Sequence, residues 1–518
     1  MKKGFTLIEL LAVILILGII ALIAIPTVNN ILKESRRGAF SSTLTNIEKA
    51  IEEKCTTEQI KNQEITTMYT IEGGVISPKL DIKGELPDGT IYVSKDCEVS
   101  YTLSDNNFTG TKEVGEEIVI VDKGNSNTVT VYKEALLNGT DPVLSNNLIP
   151  VTIDNDGTVR KADLNSKWYS YAEKKWANAV ILTSTGKVED DGTILEDSIE
   201  SYFVWIPRYK YKLFDMGNYE GILNETPTQS NSKTIEIVFE NKNTPISVGT
   251  EVGQYHSHPA FQAFNTNGFW VGKFETTGST SSITIKPNNS SLRHTIIKSM
   301  FETAYNYKRD NESHMMKNTE WGAVTYLTLS KYGINKKTNI NNNNLHLTGY
   351  GATPNTNQSS HPGTYGSSSD VTLPYNTESG FNASTTGNIS GIYDMRGNSA
   401  EYVAAYINGY LGISGFTEDS VSLYGSKYFD VYSSEGHSKS FKNRILGDAT
   451  GEFGPFYISN EHVLNNWFNE YANFASSDAP WFLRGGAWDN GLLAGQLKID
   501  GFNGGSHQYI GFRIVLSN

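Results

Sequence analysis

The first 25 residues constrain this chain more than any other stretch. Lys2-Lys3-Gly4-Phe5-Thr6-Leu7-Ile8-Glu9 leads into an almost unbroken apolar run from Leu10 to Ile25. From Phe5 onward that is about 20 residues, enough for a helix to cross roughly 30 Å of hydrocarbon. The two lysines in front suit a cytoplasmic end. Glu9 is the anomaly, because a carboxylate inside such a run costs about 2.5–3.5 kcal/mol and so calls for a partner. A secretory signal has a shorter apolar core followed by a small-residue cleavage site, whereas here Gly4 precedes the run. Cleavage between Gly4 and Phe5 would keep the helix and create a terminal ammonium four residues from Glu9. That ammonium is the expected partner.

With Gly4, the aromatic Phe5, Glu9, Gly18 and Pro26 in these positions, the segment resembles the processing and methylation motif of type IV pilins and pseudopilins. The resemblance implies processing at Gly4 and Phe5 by a prepilin peptidase. It also implies assembly through Glu9, which in that family pairs with the terminal amine of a neighbouring pilin subunit. The precursor would sit in the cytoplasmic membrane and the mature protein on an extracellular pilus or cell surface of a prokaryote.

After Pro26, apolar residues at Val28, Ile31, Leu32, Phe40, Leu44, Ile47 and Ile51 recur at helical spacing, so the helix is expected to reach about Cys55. The period then shortens. Met68–Ile71, Thr90–Val93, Glu98–Leu103, Ile118–Val121 and Thr128–Tyr132 read as short strands between turns, and a helix capped by a small antiparallel sheet is what a pilin head looks like. Cys55 and Cys97 are the only cysteines. In an exported protein they are expected to close one disulfide, against the alternative of two unpaired thiols. The net charge of −13 and pI near 5.3 argue against a nucleic-acid partner.

The resulting division is a leader at 1–4, a membrane and filament helix at 5–55, a β head at 56–137, a turn-rich linker at 138–147 and a large domain at 148–518. Aromatic passages such as Tyr202–Tyr209 and Phe269–Glu275 read as the core of that domain. Asn318 or Thr319 is the expected cap of a helix through Trp321, Val324 and Leu327. The Asn-, Thr- and Ser-rich stretch Thr338–Thr385 is expected to be an exposed loop. Gly391–Tyr402, Arg484-Gly485-Gly486-Ala487-Trp488 and Gly511-Phe512-Arg513-Ile514-Val515 together resemble the formylglycine-generating (sulfatase-modifying factor) family, a branch of the C-type-lectin-like fold. The fold class expected is therefore α+β, a pilin helix and β head followed by a C-type-lectin-like domain with much irregular structure, closed by pairing its terminal strands.

That family's enzymes use two copper-binding cysteines, which by register would fall at Asn490 and Gly495. The domain contains no cysteine, and neither residue replaces a soft thiolate, so no enzyme activity and no redox cofactor are expected. His256 and His258 share a spacing but have no evident third ligand. The resemblance implies a structural calcium held by the Asp394 side chain, the carbonyls of Gly397 and Ser399, and Glu401, all hard oxygen donors. The alternative, in which Glu401 makes a core hydrogen bond, stands beside it, and Arg396 brings a positive charge close by.

Between Trp488 and Ile510 neither a period of two nor one of three to four is clear. The stretch resembles the variable region of proteins diversified by retroelements, which keep an Arg-Gly-Gly and Gly-Phe-Arg frame on this scaffold while template adenines are randomised. Asparagine codons ending in a pyrimidine can become Asp, Ala, Leu, Phe, Ser, His or Tyr, but never Gln or Lys. The expected ligand-facing positions are Ala487, Trp488, Asp489, Asn490, Leu492, Leu493, Asp500, Phe502, Ser506, His507 and Tyr509. Gln496, Lys498 and Gln508 are left out, and an ordinary loop-rich strand pair is the alternative. The function this points to is a minor or tip pilin acting as a non-enzymatic adhesin for an extracellular protein or glycan. A structural minor pseudopilin of a secretion or DNA-uptake machine, or an enzyme on the formylglycine-type scaffold, are the rivals.

Overall fold

The computed structural model describes residues 36, 38–61, 63, 65–82, 84–94, 96–112, 118–122, 138–145, 147–214, 235–250, 253–352, 373–433, 445–450, 452–453, 456–457 and 464–517. The chain divides into two compact units, the second starting at Leu137. Both helices and antiparallel strands are present, so the α+β class holds.

In the first unit, helix α1 covers 38–60, with residue 37 outside the described set. Phe40, Leu44, Ile47, Ile51 and Cys55 recur every three or four residues and are all buried, which is the apolar stripe that drives such a helix onto a sheet. The helix runs past Cys55, the end expected from sequence, and stops about one turn later. Six antiparallel strands follow: β1 Met68–Glu72, β2 Val75–Ser77, β3 Asp88–Val93, β4 Val99–Ser104, β5 Phe108–Lys112 and β6 Val119–Asp122, in the order β2-β1-β3-β4-β5-β6. The sequence reading lacked β2 and β5, whose Thr-, Ser- and Gly-containing segments carry little apolar alternation. The expected strand at Thr128–Tyr132 lies outside the described residues. Gly110 on β5 is a point of close approach, since a Cβ there would lie 2.2 Å from Leu44 Cδ1. Cys55 and Cys97 form a disulfide with Cα atoms 5.5 Å apart, tying α1 to the turn before β4.

The second unit is built on an eight-stranded sheet in the order Thr193–Ile194, Val159–Lys161, Ile149–Ile153, Asn178–Leu182, Ile199–Pro207, Gly268–Gly272, Ile514–Leu516, His314–Met315. Ile199–Pro207 is buried at all but one position, as a central strand covered on both faces should be. Trp205 and Trp270 face each other in register with rings 5.3 Å apart. The terminal strands share this sheet but are not neighbours, because Asn178–Leu182, Ile199–Pro207 and Gly268–Gly272 stand between them. A second sheet of five strands contains Ala400–Ile407, Asp430–Tyr432, Trp481–Gly485, Gly495–Phe502 and Ile510–Phe512. Much of the described chain between these strands is irregular, as expected.

Two further expectations change. The passage 138–147 does not behave as a linker. Asn138 is buried and bonds Tyr169 O and Tyr171 N, while Trp205 and Trp270 donate their indole N–H groups to Thr140 O and Val143 O at 3.0 and 2.7 Å. The Asn-rich stretch is not a solvated loop where it is described. Thr338, Ile340, Asn341, Asn342, Asn343, His346 and Thr348 are buried, because the asparagines close one another's turns. Residues 353–372 lie outside the described set. Helix Asn318–Thr328 starts at an N-cap Lys317 rather than Asn318 or Thr319, and the Lys317 N–H is satisfied by Glu320 at 2.9 Å.

Candidate functional site

The site grows from the point where the last two strands pass from one sheet to the other. Ile510–Phe512 pairs with Ala400–Ile407, Ile514–Leu516 pairs with Gly268–Gly272, and Arg513 stands between them. Its guanidinium is fully buried and donates to Glu401 at 2.7 and 3.2 Å, to Gly272 O at 2.8 Å and to Tyr393 O at 3.0 Å. Glu401 thereby gives both oxygens to Arg513. Asp394 accepts from Asn341 Nδ2 at 2.8 Å and from the Gly349 N–H at 3.0 Å. Burial pushes both carboxyls up, and the guanidinium opposes that rise.

These contacts decide the fit of calcium at Asp394, Gly397, Ser399 and Glu401. A calcium ion needs six to eight free oxygen donors, but the two carboxylates here serve as counter-charge and hydrogen-bond acceptors. Ser399 has its N–H on Glu275 Oε1 at 3.0 Å and its hydroxyl against that of Ser291 at 2.7 Å. Both carboxylates are thus committed to Arg513, Asn341 and Gly349, and no group of three or more His, Cys, Asp or Glu side chains among the described residues is placed to hold a metal. His256 bonds Gly249 O through Nδ1, while His258 is buried and accepts from the Ala260 N–H.

Above this centre lies the Trp488–Tyr509 stretch, held by its backbone. Arg396 donates to Gly491 O and Ala494 O at 3.1 and 2.9 Å. Lys337 donates to Leu492 O at 2.7 Å, and burial draws its amine down to about 8. The Trp488 N–H donates to Asn398 O at 2.9 Å, the His294 N–H to His507 O at 3.2 Å, the Ala400 N–H to Tyr509 O at 3.0 Å, and Arg293 to Gln508 O. The anchors grip carbonyls and amides that every residue type supplies.

The side chains sort into two groups. Ala487, Asp489 and Asn490 are buried, and Asn490 Oδ1 accepts from the Ala487 N–H at 2.8 Å. These three, expected to face a ligand, instead form the turn after Gly485-Gly486. Leu492 and Ser506 are exposed, and Trp488, Leu493, Asp500, Phe502, His507 and Tyr509 are partly exposed. Gln496 and Lys498 are buried, whereas Gln508 is exposed. Gln496 O accepts from Trp321 Nε1 at 2.8 Å, and Lys498 lies 4.5 Å over the Tyr471 ring.

A continuous series of rings results: Phe502 to His507 at 5.6 Å, His507 to Tyr509 at 5.5 Å, Tyr509 stacked on His346 at 5.6 Å, and His346 edge-on to Trp488 at 6.3 Å. His346 is supplied by the Asn-rich stretch and escaped the sequence reading, which took that stretch for loop. Its Nδ1 lies 3.1 Å from Asn398 O. A carbonyl only accepts, so Nδ1 carries the proton. Burial, aided by the charge of Arg293, draws this imidazole down to about 3 and keeps it neutral.

A family model, the prokaryotic N-terminal methylation motif, matches residues 1–25. The N-terminus is type IV pilin-like. This pilin-type start implies processing by a prepilin peptidase and membrane assembly with pilin subunits, and it marks a membrane-anchored precursor of a pilus or surface-exposed protein. Gly4, Phe5 and Glu9, which carry it, lie outside the described residues. Among the described residues no helix is long and apolar enough to cross a membrane. No curated protein matches the chain. One solved structure, the Major Tropism Determinant P3c Variant, is similar at 14% identity over 81% of each chain with a TM-score of 0.24. A superposition that loose carries no argument about the second unit.

Proposed function

We propose that this protein is a minor or tip pilin acting as a non-enzymatic adhesin. Its pilin-type segment delivers the second unit to the surface, and that unit displays a C-type-lectin-like, diversified ligand face. One observation carries the reading. Between Trp488 and Tyr509 the frame bonds backbone atoms at seven positions while Leu492 and Ser506 are exposed and Trp488, Phe502, His507 and Tyr509 are partly exposed. Such a stretch can change its side chains without loosening its anchors. Aromatic and polar side chains on a rigid frame also bind at a low ordering cost, as antibody loops do. The ligand is an extracellular protein or glycan.

The test is truncation after residue 137 in the native host. Filaments should persist and cell or surface binding should be lost. Loss of filaments with the truncation would instead favour a structural pseudopilin in which the large unit primes assembly. In the same strain, Glu9→Leu should leave membrane insertion intact and block incorporation into filaments, read by fractionation. Normal incorporation of that variant would contradict pairing between Glu9 and the Phe5 amine.

A further inference from the structure

A loop outside the variable stretch holds apolar side chains in water beside it. From Asn408 to Ser414 the chain carries no charged residue, and its large side chains Tyr410 and Ile413 are 42% and 66% exposed. The backbone of this loop is nonetheless fixed along its length. The Asn408 N–H donates to Tyr432 O at 2.8 Å, the Tyr410 N–H to Ile407 O at 3.0 Å and the Ile413 N–H to Asn503 O at 2.8 Å, while Leu411 O accepts from Trp481 Nε1 at 3.0 Å. Gly412 has φ of +54°, and a Cβ there would lie 2.2 Å from Asn503 O. Only glycine lets the two backbones approach so closely.

The bond to Asn503 sets the loop at one end of the ligand face. Asn503 follows Phe502, the ring that ends the series there. A Cβ on Gly505, the residue before Ser506, would lie 2.7 Å from Ile413 Cδ1, so the alkyl group of Ile413 rests on the turn that carries Phe502, Ser506 and His507. A lone exposed apolar side chain is ordinary, but one continuous with a partly exposed series of rings belongs to an interaction surface. Ile413 also lies outside the Ala487-to-Tyr509 window and stays the same when that window varies. Its chemistry selects the partner. A sugar is covered with hydroxyls, and each one pressed on a branched alkyl group loses water without gaining a partner. An apolar patch on a protein gains from the same contact.

Resting on the ligand-face reading above, we infer that Ile413 is the invariant apolar anchor of that face and that the ligand is a protein, which meets Ile413 with an apolar patch of its own. The varied side chains from Phe502 to Tyr509 then choose among proteins that share such a patch.

The test uses the full chain displayed by the native host, with cells to which that host adheres as the probe. Ile413→Asn should cut adhesion about tenfold, as loss of an interface anchor does, with surface display and the melting temperature of the purified chain unchanged. Ile413→Leu, which keeps an alkyl surface, should retain adhesion. Leu195→Asn, at a side chain 55% exposed next to the edge strand Thr193–Ile194, should have no effect. Ser506→Arg, which adds bulk to the face beside Ile413, should cut adhesion as well. Protease treatment of the probe cells should abolish adhesion, and periodate oxidation of their glycans should spare it. Normal adhesion of Ile413→Asn with loss in Ser506→Arg overturns the anchor and keeps the face, whereas normal adhesion of both variants removes the face too. Equal losses in Leu195→Asn and Ile413→Asn, or a loss in Ile413→Leu as deep as in Ile413→Asn, also overturn the anchor. Adhesion that survives protease, or that periodate abolishes, overturns the protein partner.

Discussion

Glu452 shows how single buried residues set the conditions under which this protein is stable. It is fully buried, accepts from the Tyr211 hydroxyl and the Gly447 N–H, and burial lifts its carboxyl to about 7, with Asp448 adding to the rise. A folded-state value above the unfolded one means the fold binds the extra proton, so this contribution is full below about pH 4.5 and is lost as pH rises through 7. The loss amounts to the order of 3 kcal/mol. His346, drawn down to about 3, acts oppositely: its neutral form belongs to the fold, so its contribution is lost as pH falls below about 6.5. Above pH 6.5 Glu452 acts alone of the two. Glu452→Gln should therefore flatten the melting temperature between pH 6.5 and 8 and raise it at pH 8, and an unchanged slope would contradict the assignment. Residue identities of this kind were only partly legible. Arg396 was visible as a charge near Asp394, but its role as clamp of Gly491 and Ala494 depends on a contact 95 and 98 positions away. Glu401 likewise finds its cation at Arg513, 112 positions on. No local pattern encodes such distances.

At the scale of elements, periodic segments were readable and aperiodic ones were not. The Phe40-to-Ile51 stripe gave α1 its buried face, and the apolar alternation of β1, β3, β4 and β6 marked strands. β2 and β5 were missed because pairing with neighbours, not their own composition, makes them strands. The Asn-rich stretch misled because asparagine amides can replace solvent as partners of turn backbone, as Asn341 and Asn343 do for Asn343 N and Leu345 N. The ring partner His346 was lost with it. The disulfide is the element-scale feature with the largest expected effect. It closes a separation of 42 residues, for which chain entropy gives about 4 kcal/mol. Cys97→Ser, or mild reduction, should lower the unfolding free energy of the first unit by roughly that amount and leave the second unit's transition unmoved, as calorimetry can show. One common shift of both transitions would contradict two independently cooperative units.

Across the whole molecule, a pilin-type N-terminus precedes a second unit about three times as long as the first. The frame and the face within that unit follow different rules. Arg484, Gln496, Lys498 and Arg513 are buried, while Leu492, His507 and Tyr509 are exposed or partly exposed on anchored backbone. Under the proposed function, Ala487, Asp489 and Asn490, buried in the turn after Gly486, should tolerate far less change than exposed Leu492 and Ser506. The most direct measurement is to sequence the codons for Ala487 to Tyr509 across many cells of one lineage and to search the flanking DNA for a near-copy. The account predicts substitutions at Leu492, Leu493, Phe502, Ser506, His507 and Tyr509, confined to adenine sites of the copy and sparing Gln496 and Lys498. An invariant stretch with no copy, or changes spread equally over Gln496 and Lys498, would contradict it.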